Sequence, residues 1–272
     1  MKGDKESDSS ETETETEDSE TEVDVAQNHI YDYRYKALNA DLRPLPKSHP
    51  HFNVIETYAR ETMERKFEII NVFETNRHDE EKRFVVYDSF ENRKLLWHGT
   101  NVATVAAVVA SGLRITPYIH GRAGKGIYLS SEISKSTRYG YFLISFQKKN
   151  FNIFFLSFSK YFYFKIVATS GKTGILFLVE TVLGKEHIIT REDSSLTQPP
   201  SGYDSIVAKG HTEPDPALDI QIQIDGRTVI VPQGKPIPQL EYQTSTFAKS
   251  EYLVYQENQV RLRYLIEAKF ED

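Results

Sequence analysis

From Gly174 onward the chain alternates short apolar, β-branched runs with breaks marked by glycine and proline, and this pattern limits the fold more than any other feature. The runs are "GILFLVETVLG", "YDSIVAKG", "RTVIVPQG", "SEYLVYQ" and "RLRYLIEAKF", and the loops between them include "TQPPSGYD" and "HTEPDPALD". The first half holds the helices. "HFNVIETYARETMERK" follows the breaker "PLPKSHP" and repeats apolar residues near helical spacing at Phe52, Ile55, Tyr58 and Met63. "NVATVAAVVASG" reads as a second helix, capped by Asn101 and closed by Gly112. Two β-rich runs, Phe67 to Phe73 and Phe84 to Tyr87, lie between them, and "NRKLLWHGTN" reads as a strand ending in a turn. Many strands with few helices, not alternating one for one, predict an α+β fold with largely antiparallel sheets.

Size and composition permit one substantial domain: 272 residues, 39% of them apolar, suffice for a proper core. The chain has no cysteine, which excludes disulfide scaffolds and cysteine-based zinc sites and fits a reducing compartment. The formal net charge of −6 hides an asymmetry, because Met1 to Asp24 carries eleven acids against Lys2 and Lys5. Residues 1–25 therefore read as a disordered acidic tail, either merely solubilising or docking on a basic partner. The start has neither the apolar run of a secretory signal nor the basic amphipathic pattern of a transit peptide.

Two apparent phosphate loops, "GRAGKG" and "TSGKTG", fail on spacing. A Walker loop needs glycine where these have Ile119 and Ile166. No G-x-G-x-x-G joins a strand to a helix either. What remains is polar residues planted in apolar, strand-rich surroundings: "LLWHGTN", "GKGIYLSSEISKSTRY" and "STFAKSEYLVY". Singly, His98 reads as a core histidine, Tyr128 as a strand tyrosine and Glu251 as an acid at a strand end.

Together these motifs resemble the catalytic domain of the poly(ADP-ribose) polymerase family, whose signature is a His, a Tyr and a Glu on three strands. The likeness runs from about Ala37 to Phe270, and "RKLLWHGTN", "SGLRI", "GRAGKGIY", "SKS", "GHTEPDP", "VPQGKP" and "SEYLVYQENQVRLRYL" are most similar to its third, mono-ADP-ribosylating and DNA-damage-responsive, branch. The resemblance implies an ADP-ribosyltransferase fold: two largely antiparallel sheets in a split or half-barrel arrangement with few flanking helices. It implies an enzyme with NAD as substrate and no metal, which releases nicotinamide and passes ADP-ribose to protein acceptors, itself included. Single-unit transfer is favoured over chain building.

The same resemblance implies the roles. Gly99 presents its backbone to the nicotinamide carboxamide, Ser136 adds a hydroxyl to that amide, Tyr139 stacks on the ring, and Tyr128 lines the opposite side. His98 positions the adenosine ribose. Glu251 is the catalytic carboxylate, binding the nicotinamide ribose and supporting positive charge at the reacting carbon. Thr100, Asn101 and Arg114 match adenosine-side positions, with Arg114 equally readable as a surface charge. Thr116 to Ala123 correspond to a short donor loop.

The organisation implied is an acidic tail (1–25), the end of a helical regulatory domain (26–46) and the catalytic domain (47–272). Lacking a basic cluster, the chain is expected not to bind DNA directly; with only the end of a helical domain before the catalytic fold, it is expected to escape autoinhibition and to ignore strand breaks, and a truncated gene reading and a short isoform both fit. A nuclear location follows from the resemblance alone. The anomaly is Phe142 to Ile166, with eight Phe and two Tyr. Polar and charged residues, among them Gln147, Lys148, Lys149, Asn150, Asn152 and Lys160, interrupt it, so it is a poor membrane anchor. Thirty-four residues separate Tyr139 from Gly174, where the family has a loop of roughly ten. The run reads as a translated intron, with a genuine insertion as the alternative. If translated it threatens the pocket, leaving a catalytically weak NAD-binding or scaffold module as the competing function.

Overall fold

The computed structural model describes residues 32–100, 102–117, 121–140, 156–157, 163–164 and 173–270. The acidic tail, Asn101 and most of the aromatic run lie outside the described residues. Numbered in chain order, a seven-stranded sheet runs β1 (Ala40–Pro44), β2 (Phe67–Arg77), β16 (Val260–Phe270), β7 (Thr173–Val182), β3 (Arg93–Gly99), β12 (Arg227–Val231), β11 (Ile220–Ile224). A four-stranded sheet runs β4 (Ile127–Leu129), β15 (Glu251–Val254), β9 (Ser205–Ala208), β8 (Glu186–Ile189), and a three-stranded one β13 (Pro236–Pro238), β10 (Gly210–Pro214), β14 (Phe247–Lys249). Inside the aromatic run, β5 (Leu156–Ser157) pairs with β6 (Tyr163–Phe164). Parallel contacts occur between β3 and β12, β8 and β9, and β10 and β14. The α+β reading with largely antiparallel sheets holds.

The continuous apolar run of β7 is explained by burial on both faces. Leu176 and Leu178 join one core with Phe52, Ile55, Tyr58, Trp97 and Ile266. Phe177 and Val179 join the other, with Val105, Val109, Tyr252 and Leu262. Each such side chain taken fully from water contributes about 1.5–3 kcal/mol.

Helix α1 (Pro50–Thr62) covers the first core. Pro50 starts it, His49 caps it by accepting from the His51 amide at 3.1 Å, and Phe52, Ile55, Tyr58, Ala59 and Thr62 form its buried stripe. Two expectations about local structure are corrected. Phe84 to Tyr87 is not a strand: α2 (Glu80–Phe84) runs into a 3-10 turn over Val85–Tyr87. Acids in its first turn and bases in its last suit the helix dipole, and Phe84 is anchored between the Arg93 and Arg227 guanidiniums, 5.1 and 5.7 Å from its ring. The segment "HTEPDPALD", expected as loop, begins inside β10, which finds partners in β13 and β14. Ala40–Pro44, inside the stretch read as the end of a helical domain, pairs with β2 as the edge of the large sheet. Helices α3 (Val102–Ser111) and α4 (Ile133–Gly140) complete the set, and Gly112, at φ +79°, ends α3 as expected.

Candidate active site

The site forms where the two larger sheets meet. Strand β3 ends at His98 and Gly99, and the residue before them, Trp97, exchanges two backbone hydrogen bonds with Ser130, at 2.8 and 3.0 Å. That single bridge brings β3 beside β4. Tyr128 of β4 lies opposite Leu253 of β15, and β15 begins with Glu251. Helix α4 then packs its Ser136 against Gly99. A Cβ on Gly99 would sit 1.9 Å from the Ser136 carbonyl oxygen, so this approach requires glycine.

His98 is half-buried, and its Nδ1 lies 2.9 Å from the Tyr128 carbonyl oxygen. Because a carbonyl only accepts, Nδ1 carries the proton and donates, which leaves Nε2 as an acceptor. Burial pushes the His98 pKa below the usual histidine value, with the Tyr128 carbonyl opposing. A neutral imidazole with a free acceptor suits a sugar hydroxyl. Tyr128 is fixed at both sides of its phenol: the hydroxyl donates to the Gly124 carbonyl at 2.7 Å and accepts from the Ala123 amide at 3.0 Å. Its polar end is thus held by the Ala123 and Gly124 backbone, and orientation of the ring is what it offers.

Glu251 is only 4% exposed. Its Oε1 accepts from the Lys135 ammonium, while Oε2 has no hydrogen bond among the described residues. Lys135 also reaches the Lys249 carbonyl at 3.3 Å, and burial lowers its pKa against the raising effect of Glu251. A second lysine–glutamate pair crosses the first: Lys249 donates to Glu132, and to Ser134 at 2.7 Å, while Thr212 donates to Glu132 at 2.8 Å. Sequence reasoning missed Lys135, Glu132 and Lys249. The signal was present in two quoted motifs, as "EISK" and "KSE" carry their acid and base in opposite order.

The remaining expected residues are placed as follows. Thr100 Oγ1 lies 2.5 Å from Thr104 Oγ1 at the start of α3. Arg114 is half-exposed and pairs with Glu257 at 2.5 Å, whose other oxygen accepts from the Ile115 amide at 3.0 Å. Tyr139 belongs to α4, three residues after Ser136, and its side chain lies outside the described residues. Among the described residues no group of three or more His, Cys, Asp or Glu is placed to hold a metal ion. None of their helices is long and apolar enough to cross a membrane.

Comparison with known proteins bears on this arrangement. The family described as "Poly(ADP-ribose) polymerase catalytic domain" matches residues 50–270. The chain is 43% identical over 241 residues to the human protein mono-ADP-ribosyltransferase PARP3, covering 88% of this chain and 41% of the human one. It is 43% identical over 242 residues to the PARP3 of Gallus gallus, covering 89% and 41%. It is 30% identical over 250 residues to poly [ADP-ribose] polymerase 2 of Arabidopsis thaliana, covering 88% and 34%. The chain thus spans about two fifths of the length of the PARP3 relatives it matches.

Proposed function

This chain belongs to the poly(ADP-ribose) polymerase catalytic domain family, and from that premise we propose that it transfers single ADP-ribose units from NAD to protein acceptors, itself included. The observation that carries the reading is the buried Glu251 carboxylate, held at one oxygen by Lys135 and without a hydrogen bond at the other among the described residues, on the strand paired with Tyr128. NAD supplies a glycosidic bond to a cationic leaving group, whose cleavage builds oxocarbenium character on the ribose. A fixed carboxylate stabilises that charge without having to reorganise. Lys135 holds the carboxylate in place, His98 Nε2 accepts from a ribose hydroxyl, and Gly99 with Ser136 offers donors and acceptors to the carboxamide. Single-unit transfer is supported by the higher identity to relatives named mono-ADP-ribosyltransferases than to one named a poly polymerase. Nuclear residence and work in the DNA-damage response belong to the same reading.

Glu251→Gln tests it. Glutamine keeps the shape and can still accept from Lys135, so NAD binding persists while transfer falls about 100-fold or more, on the scale of losing one electrostatic stabiliser. Transfer of labelled ADP-ribose at the wild-type rate overturns the assignment. A product of long chains rather than single units overturns the mono reading alone.

A further inference from the structure

Behind the strand that carries Glu251 lies a cleft whose lining includes none of the residues assigned to transfer. Tyr252 follows Glu251 and points to the opposite face of β15, where it lines a cleft of about 380 Å³ with Lys94, Glu213, Asp219, Ile237 and Leu240. Pro214, Pro216, Pro232 and Pro238 stiffen its walls. Exposed large apolar side chains gather around it. Leu240 is 84% exposed and Ile237 41%, and Leu218 and Ile220, also exposed, flank Asp219. Such a concentration, rimmed by charge, marks an interaction surface rather than idle exterior.

The charge on the cleft is unevenly spent. Lys94 lies over the Tyr252 ring, 5.4 Å from its centroid. Glu213 accepts from the Tyr252 hydroxyl at 2.7 Å through one oxygen, but its other oxygen, Oε2, is buried with no hydrogen-bond partner. Asp219 is half-buried, Glu241 adds a third carboxylate, and Lys209 is a second base on the lining. A buried carboxylate oxygen without a donor is costly, and a ligand that brings an ammonium or guanidinium relieves it.

We propose that this cleft docks an extended peptide segment of a partner protein, a lysine or arginine meeting Glu213 and Asp219 and its apolar neighbours packing on Ile237 and Leu240. The inference goes beyond ADP-ribose transfer and does not depend on it. Strand β13, whose Ile237 and Pro238 line the cleft, is an edge strand of its sheet, and an edge beside a cleft suits a segment without its own secondary structure.

Binding of fluorescent peptides to the purified full chain, without NAD, tests it. The probes are Gly-Ala-Leu-Lys-Leu-Ala-Gly, the same peptide with Glu or Ala in place of Lys, and the chain's own residues 1–24. The Lys peptide is expected to bind at least about tenfold more tightly than the other three. Leu240→Asp and Glu213→Gln are each expected to weaken it about tenfold while the thermal midpoint stays within about 2 °C of wild type. Equal binding of the Lys and Ala peptides, tighter binding of the acidic 1–24 peptide, indifference to both substitutions, or no binding at millimolar peptide each overturns the proposal.

Discussion

Strand β3 begins at one buried charge network and ends at another, and the two are built differently. At its start Arg93 donates to Glu180 at 3.0 Å, and Arg263 donates to the other Glu180 oxygen at 2.7 Å and to Asp225 at 2.6 Å. Arg261 meets Asp225 at 3.1 Å and Arg227 meets Asp88 at 2.6 Å. Glu180 has no exposed surface. At the far end of the strand the cations are lysines, crossing between α4 and the strands β14 and β15 to reach Glu251 and Glu132. Guanidinium forks fix two acceptors in one plane, whereas an ammonium is a point charge on a flexible stem. The arginine network locks strands together. The lysine pairs leave Glu251 and Glu132 on flexible partners, which in the proposed reaction lets Glu251 take up a substrate hydroxyl.

From that contrast the two networks are expected to respond oppositely to substitution. The largest expected effect is at Glu180→Ala, which leaves Arg93 and Arg263 buried without their shared acceptor and should cost about 3–5 kcal/mol in urea unfolding. Transfer per folded molecule should survive. Arg263→Lys keeps the charge but loses the fork, and about 1–3 kcal/mol of stability is expected to go with it; an unchanged midpoint would mean the fork geometry is unimportant. Glu251→Gln, the largest effect on transfer, should shift stability by less than about 1 kcal/mol, because the amide oxygen still accepts from Lys135. A loss matching Glu180→Ala would erase the distinction between the two networks.

The smallest effect is acid sensitivity at His98. Burial lowers its folded pKa, so between that value and about 6.5 the unfolded chain binds the extra proton. Stability therefore rises with pH through that window and is lost as pH falls from about 6.5 towards the folded pKa. Thermal midpoints from pH 7.5 down to 5 should fall more in the wild type than in His98→Gln, and parallel curves would contradict a buried neutral imidazole.

Elements whose partners lie on both faces were legible, because β7 writes its environment as an unbroken apolar run and α1 as a stripe. That His98, Tyr128 and Glu251 would lie on three adjoining strands was legible as well, through motifs long enough to resemble a family. Phe84 to Tyr87 misled because β-branched Val85 and Val86 suggest a strand, whereas they stand 48% and 59% exposed and Phe84 is the one fully buried side chain of the segment. Strand β10 was hidden because its ladder partners come from segments over twenty residues away. Lys135, Lys249 and Glu132 escaped for a related reason: a lysine's counter-ion is decided by which distant strand the fold lays beside its helix.

The bridge between Trp97 and Ser130 also has a meaning in time. It is an isolated rung, outside any ladder that could hold it shut cooperatively. When it opens, His98 and Tyr128 part and the Trp97 and Ser130 amides meet water together. Their hydrogen-exchange rates are thus a clock for how often the catalytic junction comes apart, readable on the resting protein before any nucleotide is added.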